Sequence, residues 1–400
     1  MIEFHEMLVI GISIVFGYVV GRFLLFHGIP DIIGYMLVGI VLGEAVTGFI
    51  SPTQLEYLTP FVDLALAFIG FGIGVELRIE KLIELLRDIS YITITHGLGV
   101  FILVFLGVYL LTYDIPISTL LASIAISTAP AATVKVIWDY NSEGELTTML
   151  YSLVAIDDIF TSLVFALTYP FVESLIIGYT EAYTVLFNTL YHMFGSIILG
   201  GIIGYLLDYV INKTEREVDI VWGIVLTNIL ITGIAETFEL STILISIIAG
   251  FVAVNRSGPE EEESFQLIRH GVEPLLILFF VVMGSHFRFE YITIVGLLGI
   301  IYIVLRILGK YLGTYIGGYI SGAPSYIRNY LGLGLLAQGG LSLALASAIL
   351  TDLGGINGYA YEVASIVFTV ILATTFIFEI IGPLAVKYIL FAVGEVETEY

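Results

Sequence analysis

Ser127-Thr-Ala-Pro-Ala-Ala-Thr-Val134 and Leu335-Leu-Ala-Gln-Gly-Gly-Leu-Ser342 each lie inside a long apolar run. In the first, Pro130 has no N–H to give and its ring clashes with the preceding turn. In the second, the paired Gly339 and Gly340 weaken a helix. Each run therefore reads as a membrane helix interrupted within its span. Spanning a hydrocarbon core takes roughly 17–25 mostly apolar residues. Such runs occur near 5–26, 31–50, 60–77, 89–112, 116–137, 147–171, 183–211, 219–236, 240–255, 271–287, 290–320, 326–351 and 361–391, thirteen in all. The interrupted runs are the fifth and the twelfth. Seven helices apart is an odd offset, so the two run in opposite directions. The pattern predicts an all-α polytopic membrane protein of about 13 transmembrane helices. Helices 1–6 and 8–13 form two inverted six-helix repeats, helix seven connects them, and discontinuous helices 5 and 12 cross.

Two interrupted segments at matching positions of inverted halves are the sequence pointer to an ion site. Half-helix ends offer fixed partial charges and free backbone groups there. Thr128 and Thr133 flank Pro130, and Gln338 precedes the glycine pair. Their hydroxyl and amide groups either help coordinate an ion or satisfy the broken backbone. Taken singly, Pro130, Gly339 and Gly340 are ordinary kinking or packing residues. Matched across two halves, they point to function.

The composition agrees with a membrane protein. The 400 residues are 58% apolar and only 12% charged, with a mean hydropathy of +1.02, where soluble chains carry about a quarter charged residues. Cysteine is absent, which excludes disulfides and thiolate metal sites. The formal charge of −22 resides largely in loops and ends such as Glu260-Glu-Glu-Glu263 and Gly394-Glu-Val-Glu-Thr-Glu-Tyr400. That excess argues against nucleic-acid partners and against a basic lipid-binding patch. The start, Met1-Ile-Glu-Phe-His-Glu6, lacks the basic region of a cleaved signal, so the first run is expected to be retained. No nucleotide-binding fingerprint occurs, and no appended nucleotide-binding domain or cofactor is expected.

The basic residues give an orientation. Arg22, Arg78, Lys81, Arg87, Lys135, Lys213, Arg216, Arg256, Arg269 and Arg328 follow odd-numbered helices; Arg288 alone follows an even one. Lys387 lies near the C-terminal end. The positive-inside rule then puts the N-terminus outside and the C-terminus in the cytoplasm of a multi-pass plasma-membrane protein.

Ionisable residues at membrane depth are costly and usually functional. Helix six carries Asp157 and Asp158; helix eleven carries Arg306 and Lys310, four apart and so on one face. Adjacent helical residues point about 100° apart. One aspartate can therefore meet Arg306 or Lys310 while the other faces the cavity between the broken helices. A free carboxylate there holds either a small monovalent cation or a proton, and that competition, with alternating access, is antiport. An intramembrane aspartyl protease needs its aspartates on separate helices, so adjacency argues against an enzyme. A passive cation channel has no need of a titratable pair and is the distant alternative. His96 reads as a packing or hydrogen-bonded core histidine with the chemistry of a pH sensor. Asp63 is expected in the first turn of helix three and Glu76 near its end; both are accessory candidates.

With these residues in place, the chain resembles the second branch of the cation:proton antiporter superfamily, whose bacterial and archaeal members are sodium/proton antiporters. Gly21-Arg-Phe-Leu-Leu-Phe-His-Gly-Ile-Pro30, Ile33-Gly-Tyr-Met-Leu-Val-Gly-Ile-Val-Leu-Gly43 and Leu66-Ala-Phe-Ile-Gly-Phe-Gly-Ile-Gly-Val-Glu-Leu77 look like its first three helices. Phe279-Phe-Val-Val-Met-Gly284 and Arg306-Ile-Leu-Gly-Lys310 are similar to later motifs, in the same order. The resemblance implies exchange of protons for Na⁺, with Li⁺ as a further cargo, by an elevator-type motion in a homodimer. It implies scaffold segments 1–88 and 215–288, core segments 89–172 and 289–400, and a connecting segment 173–214. It implies that Asp158 binds the ion and that Asp157 pairs with a basic residue, Arg306 standing at the family's basic position and Lys310 one turn on. The double aspartate is similar to that of electrogenic members, which often carry a lysine partner. A K⁺/H⁺ antiporter akin to the glutathione-gated potassium efflux systems is the nearest alternative; those append a nucleotide-binding domain.

Overall fold

In the computed structural model of the chain, the described residues are 5–177, 182–211, 213, 217–257, 272–287, 289–354, 356 and 358–396. Arg216, Arg269, Arg288, the Glu260–Glu263 run and the last four residues lie outside them. Among the described residues there are fifteen helices and no strand. They are α1 (Glu6–Phe26), α2 (Asp31–Leu42), α3 (Pro52–Glu76), α4 (Ile79–Thr112), α5 (Ile115–Ile124), α6 (Pro130–Asp139), α7 (Glu145–Ile177) and α8 (Ala182–Ile211). They continue with α9 (Glu217–Phe238), α10 (Thr242–Val254), α11 (Glu273–Ser285), α12 (Phe289–Ser321), α13 (Ser325–Gly334), α14 (Gly340–Gly354) and α15 (Tyr359–Val393). Eight of these are long and apolar enough to cross a membrane, and α2, α5, α10, α11 and α14 are shorter apolar helices.

The chain divides into two compact units, Met1–Leu82 with Leu190–Arg288, and Ile83–Thr189 with Phe289–Tyr400. In the first unit, small residues let backbones touch. A Cβ on Gly74 of α3 would stand 2.1 Å from the carbonyl of Ile247 in α10, and one on Gly39 of α2 would stand 2.1 Å from that of Val281 in α11. Membrane helices associate by such close van der Waals contact because lipid gives them no hydrophobic drive toward each other. Asn255 closes this unit: its Nδ2 donates to the carbonyls of Leu77 and Phe251, both at 2.8 Å, and its Oδ1 accepts from the Ile79 amide at 2.8 Å.

Two sequence expectations change in the first unit. Helix two ends at Leu42 rather than near residue 50, because the chain turns at Gly48 (φ +63°) and the Ile50 amide bonds back to Leu42. Helix three starts at Pro52, not near residue 60, because Ser51 and Gln54 form a capping box with proline at N1. Asp63 is consequently in the interior of α3, not in its first turn, and half-buried.

In the second unit, α4 and α12 approach through Gly309, Gly313 and Gly317, four residues apart on one face of α12. A Cβ on Gly313 would lie 2.4 Å from the Cα of His96 and 2.7 Å from the carbonyl of Thr95. Backbone atoms cannot step aside as a side-chain tip can. Gly313→Val is therefore expected to push α4 away and destabilise the protein by about 1–3 kcal/mol. Thermal unfolding in detergent measures it, and an unchanged melt would show that the α4–α12 contact is not tight.

The start of α7 is held by Glu395, which follows α15. Its carboxylate accepts from the amides of Leu146 and Thr147 and from the Thr147 hydroxyl, each at 2.8 Å. Those amides are otherwise orphaned at a helix N-terminus, where a negative charge is favourable. Toward the outside, Leu98, Ile102 and Leu106 of α4 and Leu308, Leu312 and Ile316 of α12 are exposed, as a face toward lipid requires.

Candidate functional site where two broken helices meet

Helix α5 stops at Ile124 and α6 begins with Pro130 at its first position. Helix α13 stops at Gly334 and α14 begins at Gly340. Proline suits a helix start because its missing N–H is unneeded there. The two irregular stretches, 125–129 and 335–339, meet: the Ala129 amide donates to the Ala337 carbonyl at 3.0 Å. Thr133 donates across to the Gly334 carbonyl at 3.4 Å. Gly382 of α15 lets Ala337 approach, since a Cβ there would be 2.8 Å from the Ala337 Cα.

Irregular backbone in a membrane needs partners for its polar groups. Arg306 of α12 supplies donors to four of the carbonyls. Its Nε donates to the Ala125 carbonyl (3.0 Å), Nη1 to Leu336 (2.6 Å), and Nη2 to Ser127 (2.6 Å) and Ala337 (3.2 Å). The guanidinium thus bridges both breaks, with its carbon 4.3 Å above the centre of the Phe378 ring. One turn along, Lys310 Nζ donates to the Ile126 carbonyl (2.5 Å), the Thr128 hydroxyl (2.7 Å) and Asp157 Oδ2 (3.1 Å). The sequence left open which base meets an aspartate. In the structure Lys310 does so, whereas Arg306 at the expected basic position is spent on backbone carbonyls.

Asp157 is fully buried on α7, and both its oxygens are engaged. Oδ2 accepts from Thr128 Oγ1 at 2.5 Å and from Lys310. Oδ1 accepts from Nε2 of His96 at 2.7 Å. Asp158, one residue on, points elsewhere, as the helical rotation requires. It is half-buried, and the one hydrogen-bond partner of its carboxylate among the described residues is Ser127 Oγ at a long 3.5 Å. A saturated carboxylate thus sits beside an available one. Asp158 can accept a proton or a desolvated monovalent cation; Asp157 is already satisfied by three donors. No group of three or more His, Cys, Asp and Glu that could hold a metal ion occurs among the described residues. The ion in question would be cargo.

The remaining sequence candidates fall as follows. Gln338 Nε2 donates to Tyr302 Oη (2.8 Å) and to Ser342 Oγ (3.1 Å). A Cβ on Gly339 would be 2.6 Å from Glu379 Oε1 and 3.1 Å from the Ala129 Cβ, so a side chain there displaces the Glu379 carboxylate; Gly340 has open space. Asp63 and Glu76 belong to α3 in the first unit. Two residues of the cluster were not among the sequence candidates. His96, read as a core histidine, is the third donor to Asp157. Glu379 is buried on α15 beside Gly339, with no hydrogen-bond partner for Oε2 among the described residues. Its signal was present: it is a carboxylate inside an apolar run.

The transmembrane sodium/hydrogen exchanger family model matches residues 10–388 of the 400. The chain belongs to the sodium/hydrogen exchanger family. It is accordingly a multi-pass membrane transporter rather than an enzyme. No curated protein sequence matches it. Two solved structures of the sodium proton antiporter MjNhaP1 from Methanocaldococcus jannaschii are similar in fold. One, at pH 8, has a TM-score of 0.71 at 17% identity, covering 96% of this chain and 98% of that one. The other, from an electron-microscopy map, has a TM-score of 0.78 at 16% identity, covering 98% of each.

Proposed function

We propose that this family member exchanges protons for Na⁺, with Li⁺ as a close analogue, and that Asp158 is the carboxylate over which cation and proton compete. The observation that carries this reading is the division of labour in the aspartate pair: Asp157 is locked by three donors while Asp158 has a single long contact. The irregular stretch 125–129 between α5 and α6 lies next to that carboxylate through Ser127. Lys310 and Arg306 cover the freed carbonyls, and a small cation needs few protein ligands beyond Asp158 and water.

The same proposal counts thirteen membrane crossings by joining α5 to α6 and α13 to α14, with two inverted repeats around α8. It takes α4–α7 and α12–α15 as the moving core of an elevator, and the helices of 1–88 and 215–288 as the scaffold of a homodimer in the plasma membrane, N-terminus outside. The separation of the chain into two compact units supports that partition. The segment near 173–214 is then the connector.

The test uses purified protein in liposomes with an internal pH dye and an imposed pH gradient. Na⁺, Li⁺ and K⁺ are added in turn, with and without a valinomycin clamp on the membrane potential. Proton flux triggered by Na⁺ and Li⁺ is the expected result, and its dependence on the clamp reveals whether net charge moves. Flux with K⁺ alone would replace sodium by potassium as cargo. No proton flux with any of the three ions would overturn exchange.

A further inference from the structure

His96 lies at the centre of α4, fully buried, and its Nε2 is 2.7 Å from Asp157 Oδ1. A carboxylate oxygen only accepts, so Nε2 carries the proton. The other ring nitrogen, Nδ1, is buried and has no hydrogen-bond partner among the described residues. A second proton on the ring would have nothing to meet in the hydrocarbon interior, where an unsatisfied donor is expensive. The charged groups near the ring are Asp157 on α7 and the two cations Lys310 and Arg306 on α12. Those cations already oppose the negative charge of Asp157. α12 comes close to α4 here because Gly313 faces the His96 backbone.

We propose that His96 is a positioning residue for ion exchange, acting as a permanently neutral Nε2–H donor that pins Asp157 Oδ1 and so keeps Asp157 off the cation at Asp158. Of the two oxygens of Asp157, Oδ2 has Thr128 and Lys310, but Oδ1 has His96 alone. Without that donor, Oδ1 is an uncommitted carboxylate oxygen next to the ion site. It then captures a proton or turns toward Asp158, and either response upsets the charge balance with Lys310. The transport consequence rests on the exchange reading; the neutral tautomer does not.

Two variants and two readouts test this. In His96→Gln, the amide N–H reaches roughly the place of Nε2 and keeps the donation. In His96→Leu, the volume is similar and the donor is gone. His96→Leu is expected to raise the apparent KM for the cation in the liposome assay about tenfold, the order of one charge-assisted hydrogen bond. His96→Gln is expected to restore KM to within about twofold and to leave the pH profile of flux in place, because the donor is kept. A KM in His96→Leu equal to that of the parent, with only the melting temperature lowered, would reduce His96 to a packing residue. A shifted pH profile in His96→Gln would mean that the ring itself titrates, and would overturn the proposal. The second readout needs no transport: ¹⁵N-histidine NMR of the full chain, with His96 assigned by the signal missing in His96→Gln. One protonated and one bare ring nitrogen from pH 5 to pH 9 is the expected result; a doubly protonated ring at any of these pH values would overturn it. If the parent protein shows no cation-dependent flux, the exchange reading fails while the NMR still decides the tautomer.

Discussion

Asp158→Asn is expected to abolish cation-driven proton flux while leaving the protein folded. The amide has nearly the shape of the carboxylate, so packing on α7 is kept. Its charge and its exchangeable proton site are both gone. Losing one charged contact to the cation weakens binding by about one to two orders of magnitude. Coupling suffers more, because an amide offers no proton to exchange. Stability should change by less than about 0.5 kcal/mol, since the carboxylate of Asp158 makes one long hydrogen bond among the described residues. The assay is the liposome pH-dye experiment, run beside a thermal melt of the same preparation. Flux that survives in Asp158→Asn would remove Asp158 from the ion site and move attention to Glu379, a further buried carboxylate near the crossing. Flux lost together with the fold would be uninformative about the site, which is why the melt is part of the prediction.

Arg306→Met is expected to cause a large loss of stability in the second unit. The guanidinium satisfies the carbonyls of Ala125, Ser127, Leu336 and Ala337. The Ala337 carbonyl keeps the Ala129 amide; each of the other three, left without a donor, costs about 1–3 kcal/mol, so the change should cost at least about 3 kcal/mol. Arg306→Lys keeps the charge, but one compact ammonium cannot span two separated backbone breaks; it should recover only part of the loss. Lys310→Met is different in kind. It leaves Asp157 as a buried charge without its cation, which costs about 3–5 kcal/mol. Asp157→Asn in the Lys310→Met background should then restore much of the stability. The same second change should do nothing for Arg306→Met. Thermal unfolding of the single and double variants separates the two roles. Rescue of Arg306→Met by Asp157→Asn would show that Arg306 is an ion-pair partner after all.

These expectations depend on a division between what was legible in the residues and what was not. The breaks at Pro130 and at Gly339-Gly340 could be read directly, because a missing N–H and a missing Cβ act on their own turn of helix. Asp157, Asp158, Arg306 and Lys310 could be singled out because charge inside an apolar run is conspicuous wherever the helix ends up. Glu379 carried the same signal at lower contrast. The boundaries of helices two and three were read less well: the apolar run near 31–50 continues past Leu42, and the capping box at Ser51 is polar sequence ahead of the apolar run.

The sequence by itself determined that the chain is a helical membrane protein, where two of its helices break and which ionisable groups lie at depth. Those are properties of single segments, set by apolar length, backbone chemistry and the cost of charge in lipid. Tertiary structure alone decided which base meets Asp157, that Arg306 clamps the breaks, and that His96 joins the cluster. Each depends on how far one helix is rotated and how closely it approaches another. Here that is fixed by glycine contacts such as Gly313 against His96, between residues 217 positions apart in the chain.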